Sequence, residues 1–369
     1  MVFAAAFLFP DSAGSCLART LPGPKWRTRM SLRGTSAGAC AMLLLSCAVS
    51  LPAQLPAQPA PLHSAPLELI HDKPYVQVLI NGKGPFRFVI DTGTGAEALI
   101  TPELADQLAL PAAGQVRLSD PSRQGQQRTQ LVLIHSLTVA GVEFTAVKAM
   151  RHTLAGQDAA SQSGPTQDGF GAVGSCQGLL GFTLFRDYLL TLDYPNRRLT
   201  LAAGALEPDA GPDQQRSIVA FRMPDGVPIA RLDIGGLAVD ALLDTGGDGL
   251  SLPEKVASQL RFAIDPTPFA NGQSLSTRFQ VKAGKLAADV RLGRYTFPKP
   301  FVEINPAFPL ANFGSCPLQK FSLTFDQKSL LVRFDASRSR FNLGATPTAI
   351  RLANMPPEKP PVPGLVPMG

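Results

Sequence analysis

An apolar run ending in a short acidic loop occurs at residues 88–95, as Phe88-Val89-Ile90-Asp91-Thr92-Gly93-Thr94-Gly95, and the chain then repeats it. The second copy, at residues 241–248, reads Ala241-Leu242-Leu243-Asp244-Thr245-Gly246-Gly247-Asp248. Asp and Gly are ordinary turn residues after a strand, so a single Asp-Thr-Gly would indicate little. Two copies with similar surroundings indicate a duplicated structural unit.

The residues before and after each loop repeat as well. Alternation of period two over 73–80 and 227–234, followed by a Gly-containing turn and a second apolar run, predicts a β-hairpin leading into each loop. Each loop is followed by a predicted short helix, at 101–108 with Thr101 as its cap and at 253–260. Each copy also ends in a Gly that precedes an Asp by 12 residues, in the pairs Gly181 with Asp193 and Gly314 with Asp326.

The composition favours a loop-rich β protein, because the 369 residues include 34 Pro and 33 Gly. We predict an all-β fold with minor helices, made of two pseudo-symmetric lobes at 66–203 and 217–345, joined by a polar linker at 204–216. The segment 155–177 is rich in Gly, Ser and Gln and predicts an exposed excursion of the first lobe alone.

The N-terminal residues have the pattern of an export signal. Three arginines between Arg27 and Arg33 precede the apolar run 37–51, which is too short for a comfortable membrane span. We predict a signal peptide over 1–53, with Met30 as an alternative start, and a periplasmic or cell-envelope location. Cys47 allows two interpretations, a lipid-anchored residue of a lipobox or a small residue within the apolar run.

The segments at the two edges of the predicted lobes are low in complexity. Residues 54–65 are rich in Pro, Ala and Gln and predict a tether, and 346–369 predict a Pro-rich disordered tail.

Without residues 1–53 the net charge falls from +6 to +2. No basic field then remains to attract nucleic acid, so no nucleic-acid partner is expected.

The repeat resembles the aspartic peptidases of the retroviral-protease and pepsin type. The resemblance covers most of both lobes and implies acid-protease-type β lobes that face each other across an active-site cleft. In that family each Asp-Thr-Gly loop meets a later apolar segment that ends in Gly, which Leu179-Leu180-Gly181 matches well and Asn312-Phe313-Gly314 matches in part. A fused pair of lobes resembles the single-chain version of the family, which implies a monomer.

The resemblance assigns catalysis to Asp91 and Asp244. Two adjacent carboxyl groups cannot both ionise easily, so they share a proton, and one activates water while the other polarises the amide carbonyl. By the same resemblance, Thr92 and Thr245 hydrogen-bond across to the opposite loop. Gly93 and Gly246 would allow the tight turns, and Thr94 would donate its hydroxyl proton to the first carboxylate.

The second loop departs from this pattern. Gly247 stands where the family has a hydroxyl, so we expect Asp244 to lack that donor and Gly247→Ser to shift the pH–activity profile towards acid. Asp248 is interpreted as a solvated loop residue. The predicted flap, roughly 115–136, contains no Tyr, so the chain resembles retroviral-type relatives more than pepsin.

Other motifs favour no further chemistry. The Gly93-to-Ala98 spacing imitates a dinucleotide-binding turn, but the second copy does not keep it. The four His are scattered without paired spacing, and no metal and no cofactor are expected. Cys176 and Cys316 either form a disulfide or remain two thiols, since the sequence gives no distance between them.

The leading hypothesis is an exported aspartic endopeptidase that binds an extended peptide or unfolded protein by strand addition. One alternative is a non-catalytic peptide-binding protein on a degenerate scaffold, suggested by Gly247 and Asn312. Another is a homodimer in which each lobe pairs with its twin in a second chain.

Overall fold

The computed structural model describes residues 7–9, 62–70, 72–119, 126–153, 176–207, 218–273 and 278–336. Both lobes lie within one compact unit of the chain. Several predicted segments lie outside the described residues. They are the signal peptide apart from 7–9, with Cys47, and the whole Pro-rich tail. Most of the tether, of the excursion and of the linker also lies outside. The predictions made for those segments therefore stay predictions.

Within the described residues, the first lobe contains strands, one short α-helix and a 3-10 helix at Phe182–Phe185. In chain order, with the strand at 7–9 included, the elements are β1 (Phe7–Phe9), β2 (Leu62–Pro66), β3 (Glu68–Ile70), β4 (Lys73–Ile80), β5 (Lys83–Asp91), β6 (Ala98–Ile100), α1 (Pro102–Gln107), β7 (Ala112–Ser119), β8 (Gln126–Val139), β9 (Val142–Arg151), β10 (Gly178–Gly181), β11 (Leu189–Asp193) and β12 (Arg198–Ala202).

The second lobe has a similar content and a 3-10 helix at Pro224–Gly226. Its elements are β13 (Ile218–Arg222), β14 (Ile229–Ile234), β15 (Leu237–Leu243), β16 (Leu250–Pro253), α2 (Glu254–Ala257), β17 (Phe262–Gln273), β18 (Arg278–Leu286), β19 (Val290–Leu292), β20 (Tyr295–Phe297), β21 (Phe301–Asn305), β22 (Ala311–Phe313), α3 (Ser315–Leu318), β23 (Phe321–Asp326) and β24 (Leu331–Ala336).

A short apolar strand lies beside each hairpin at the point where the hairpin ends. In the first lobe β10 runs parallel to β5 and antiparallel to β6, which sets Gly181 opposite Asp91. In the second lobe β22 runs parallel to β15 and antiparallel to β16, which sets Phe313 opposite Leu243. The side chains of Leu180 and Phe313 are fully buried, as expected for strands with neighbours on both sides.

Six strands at one end of a larger sheet join the two lobes. Strands β2, β12 and β11 come from the first lobe, and β23, β24 and β13 come from the second. The junction is the antiparallel pair β11–β23, where Leu192 lies opposite Leu323. The hydrophobic core is continuous across this junction, since Phe182 packs edge to face on both Phe221 and Phe325.

The structure confirms the predicted all-β class and both hairpins, β4–β5 and β14–β15. It also confirms the capped helix α1, where the Leu104 amide donates to Thr101 Oγ1 at 3.3 Å. The second predicted helix is shorter than expected, because α2 spans only Glu254–Ala257. The predicted tether is also too long, since β2 begins at Leu62 and pairs with β12.

Candidate active site

Asp91 is the last residue of β5, and its carboxylate turns back over its own loop. The Gly93 amide donates to Asp91 Oδ1 at 2.8 Å, and the Thr94 hydroxyl donates to Asp91 Oδ2 at 2.8 Å. The Asp91 side chain is buried, with 2 % of its surface exposed. The first loop therefore has the hydrogen bonds that the sequence predicts for it.

Asp244 follows β15 directly and has a different set of donors. The Gly246 amide donates to Asp244 Oδ1 at 2.9 Å, as in the first loop. The second donor is the side-chain amide of Asn312, whose Nδ2 lies 2.6 Å from Asp244 Oδ2. Asp244 therefore lacks the hydroxyl donor of the first loop, as predicted, but an amide from β22 takes the place of that hydroxyl.

The two loops hold each other through a reciprocal set of hydrogen bonds. The Thr92 amide donates to Thr245 Oγ1 and the Thr245 amide donates to Thr92 Oγ1, both at 3.0 Å. The Thr92 hydroxyl donates to Leu243 O at 2.6 Å, and the Thr245 hydroxyl donates to Ile90 O at 2.7 Å. Both loops thus meet within one chain, whereas the homodimer hypothesis has each loop meet its twin.

Close packing at this junction requires glycine. A Cβ added at Gly93 would lie 2.6 Å from the Asp244 carboxyl carbon, and one at Gly246 would lie 2.6 Å from that of Asp91. At Gly181 an added Cβ would collide with the carbonyl oxygen of Ala96, and at Gly314 it would lie 2.5 Å from that of Asp248. Each loop and each neighbouring strand end therefore comes closer than any side chain would allow.

The Asp91 and Asp244 carboxyl groups are both buried, and each lies against the glycine of the opposite loop. Burial raises the pKa of both groups, and the charge of Asp244 raises the pKa of Asp91 further. Hydrogen bonds from Thr94 and Gly93 act against this rise at Asp91, and Asn312 and Lys73 act against it at Asp244. Such a pair retains one shared proton over a wide pH range and titrates as a unit.

The family assignment comes from a comparison with known proteins. A family model described as aspartyl protease matches residues 76–183 and 230–321, which include both Asp-Thr-Gly loops and more than half of the chain. The chain belongs to the aspartyl protease family. The predicted resemblance is confirmed at that level. A search of the curated proteins finds no match.

One buried residue beside the second loop of this aspartyl protease was not predicted from the sequence. Lys73, at the start of β4 in the first lobe, is 2 % exposed. Its Nζ donates to Gly247 O at 2.6 Å and forms an ion pair with the carboxylate of Asp248. Asp248 is therefore a partly exposed loop residue, as interpreted, but it is also paired with Lys73, which the sequence did not predict. The repeat gave no signal for Lys73, because the aligned residue of the second copy is Val227.

The two cysteines of the lobes do not form a disulfide. Cys176 is buried in a small apolar cluster with Tyr75, Val89 and Met150, and its thiol donates to Gly178 O at 3.2 Å. Cys316 lies in α3 of the other lobe, where its amide donates to Asp248 O. The disulfide alternative is therefore wrong. Cys176 lies just before β10 in the first lobe, and Cys316 lies in α3 of the second.

Two further properties of this aspartyl protease concern only the part of the chain that the structure describes. No cluster of three or more His, Cys, Asp or Glu side chains with metal-binding proximity occurs there. No helix in those residues has the length and apolar character needed to cross a membrane.

Proposed function

We propose that the chain is an aspartic endopeptidase that hydrolyses peptide bonds with a water molecule activated by Asp91 and Asp244. The observation that carries the proposal is the buried pair of carboxyl groups, one from each lobe, in two loops that hydrogen-bond to each other. The burial and the raised pKa values of this pair suit a site that holds one acid and one base together.

The proposed reaction needs no covalent intermediate. The ionised carboxylate takes a proton from water as the water oxygen bonds to the amide carbon, and the protonated carboxyl gives its proton to the carbonyl oxygen. When the resulting tetrahedral species collapses, the carbon–nitrogen bond breaks. The departing nitrogen receives the proton that the first carboxylate had taken. The second carboxylate takes a proton back from a hydroxyl group of the tetrahedral species as the product carbonyl forms, and the pair returns to its starting state.

The proposed substrate is an extended peptide segment. Strand β7 of the flap hairpin supports this proposal, because its outer edge already pairs with an extended segment of the chain itself. In this pairing β1 lies antiparallel to β7, with Leu8 opposite Leu118. An edge strand whose backbone groups accept such a partner is suited to bind a peptide by strand addition.

The non-catalytic alternative rested on Gly247 and Asn312 as defects of the second loop. Asn312 supplies the donor that Gly247 cannot, so these two residues no longer favour a degenerate site. No other feature of the described residues favours the alternative.

Separate Asp91→Asn and Asp244→Asn variants test the proposal. Each is expected to lower the hydrolysis of an unstructured protein such as casein, over pH 3–7, by about 100-fold or more, because neither Asn side chain can accept or give the proton. Asp240→Asn is the matched control, since Asp240 lies on the same strand β15 but forms exposed ion pairs with Arg222 and Arg231. Casein cleavage that persists in both active-site variants would contradict the proposal.

A further inference from the structure

The two loops are equivalent by repeat, but three departures from equivalence lie around one carboxylate. Aligning the copies pairs residues of the first lobe with different residues of the second. Three of the unequal pairs are Lys73 with Val227, Thr94 with Gly247, and Leu179 with Asn312. Lys73, Gly247 and Asn312 all lie beside Asp244, while Asp91 keeps the arrangement with Thr94.

The side chain of Asn312 occupies the space beside the Cα atom of Gly247. A Cβ added at Gly247 would lie 2.8 Å from Asp244 Oδ2 and 2.9 Å from Asn312 Oδ1. The amide thus fills the volume that a side chain at 247 would use, and it does so from the neighbouring strand. At the aligned position of the first lobe, Leu179 packs in the apolar cluster that also contains Val89.

Replacing a hydroxyl with an amide changes which protonation states the carboxylate can adopt. A hydroxyl can donate or accept a hydrogen bond, so Thr94 suits Asp91 Oδ2 with or without a proton. The amide nitrogen of Asn312 can only donate, so it suits Asp244 Oδ2 only when that oxygen carries no proton. The orientation of the amide follows from this contact, and its Oδ1 is buried without a hydrogen-bond partner among the described residues.

Lys73 adds a positive charge near Asp244, the carboxylate that Asn312 contacts. Its Nζ binds the carbonyl of Gly247, three residues beyond Asp244, and Val227 offers no such charge near Asp91. The other titratable groups that face Asp244 are Asp91 from β5 and the Tyr194 phenol after β11, whose pKa is raised mainly by burial. Asp248 faces Lys73, and Glu303 of β21 faces Asp248 in turn.

We propose that Asn312 and Lys73 are positioning residues that hold Asp244 as the ionised member of the pair and leave the shared proton on Asp91. Given the proposed function, on which this assignment rests, Asp244 takes the proton from water and Asp91 polarises the carbonyl. The hydrogen bond from Asn312 and the charge of Lys73 both lower the pKa of Asp244 against the effect of burial, which agrees with this assignment.

The pH dependence of kcat/KM tests the assignment through its acid limb, where the first proton leaves the pair. Asn312→Leu has a similar shape but no donor, so it destabilises ionised Asp244. We expect it to move the acid limb up by about one pH unit or more and to leave the basic limb in place. A second substitution, Gly247→Ser in the Asn312→Leu background, restores a donor and is expected to move the acid limb back.

Two variants at the ion pair are expected to act in opposite directions. Lys73→Met removes the positive charge, so the acid limb moves to higher pH. Asp248→Asn leaves Lys73 in place and removes its counter-charge, so the acid limb moves to lower pH. In this variant the buried Lys73 loses the carboxylate of Asp248 but can keep its hydrogen bond to Gly247 O. An acid limb that does not move in any of these variants, or that moves down in Asn312→Leu, would overturn the proposal.

A titration that needs no turnover separates this proposal from the proposed function. The carboxyl carbons of Asp91 and Asp244 are followed by ¹³C NMR against pH, with the Asn variants for assignment. We expect the Asp244 carbon to show the larger shift in the first ionisation step and the Asp91 carbon in the second. If Asp244 ionises first but the protein cleaves no peptide, the proposed function is wrong and the assignment of the proton stands. If Asp91 ionises first, the assignment of the proton is wrong, whether or not peptides are cleaved.

Discussion

At the scale of single residues, the site depends on how close two loops can approach. Gly93 and Gly246 lie against the carboxyl group of the opposite loop, at a distance that leaves no room for a methyl group. The same absence of side chains lets backbone amides reach both Asp91 and Asp244. The glycines therefore act through packing between the lobes as well as through the turns they allow.

Gly93→Ala tests this packing. The new methyl group forces the Asp244 carboxyl away, and because displacements of about 1 Å cost about 100-fold in rate, we expect activity to fall by about that much. The free energy of unfolding is expected to fall by about 1–3 kcal/mol through overpacking. Gly249→Ala is the control within the second loop, because its Cβ would meet only Glu303 Oε1, at 3.8 Å. Equal losses in both variants would contradict the explanation.

The sequence predicted the residues of each loop but not those that reach it from elsewhere. Asp91, Asp244 and their loops could be found because each copy repeats over adjacent positions. The roles of Asn312 and Lys73 could not be predicted, because these residues contact the second loop from 65 and 174 positions away from Gly247 and have no counterpart in the other copy. A repeat shows what two copies share and gives no signal for what makes them differ.

At the scale of elements, the reciprocal threonine bonds link strand β5 to strand β15. Thr92 and Thr245 are fully buried, and each satisfies one amide and one carbonyl of the opposite loop. Because both partners of every bond are out of water, the loss of one hydroxyl leaves two polar groups of the other loop without a partner.

Thr245→Val should show this cost. It keeps the shape of the side chain but leaves the Thr92 amide and the Ile90 carbonyl unsatisfied, so we expect the free energy of unfolding to fall by about 2–5 kcal/mol. Thr245→Ser keeps the hydroxyl and is expected to lose much less. Urea denaturation of the three proteins measures the difference, and a Val variant as stable as the Ser variant would contradict the role of the hydroxyl.

The elements themselves were largely predictable from the sequence. Hairpins and α1 follow from local alternation, turn residues and a cap, all within about ten positions of one another. The sheet that joins β11 to β23 was not predicted, because its register pairs residues about 130 positions apart, such as Leu192 with Leu323. Local patterns determine strands, whereas the choice between distant strands depends on the packing of the whole core.

At the scale of the whole molecule, the lobes share a sheet and a core, so we expect them to unfold together. Leu192→Ala in β11 creates a cavity at the junction and is expected to lower the opening free energy of β5 and of β15 alike, by about 2–5 kcal/mol. Hydrogen exchange read by mass spectrometry on peptides of the two strands measures both. A loss confined to the first lobe would show that the lobes are separate folding units.

The shared space at Gly247 and Asn312 also bears on how such a molecule changes over generations. A side chain gained first at 247 would meet the amide, and an amide lost first at 312 would leave the carboxylate short of a donor. Either single substitution gives an impaired protein, so residues 247 and 312 are expected to change together among descendants of this chain. The divergence of the duplicated halves has in this way become hard to reverse.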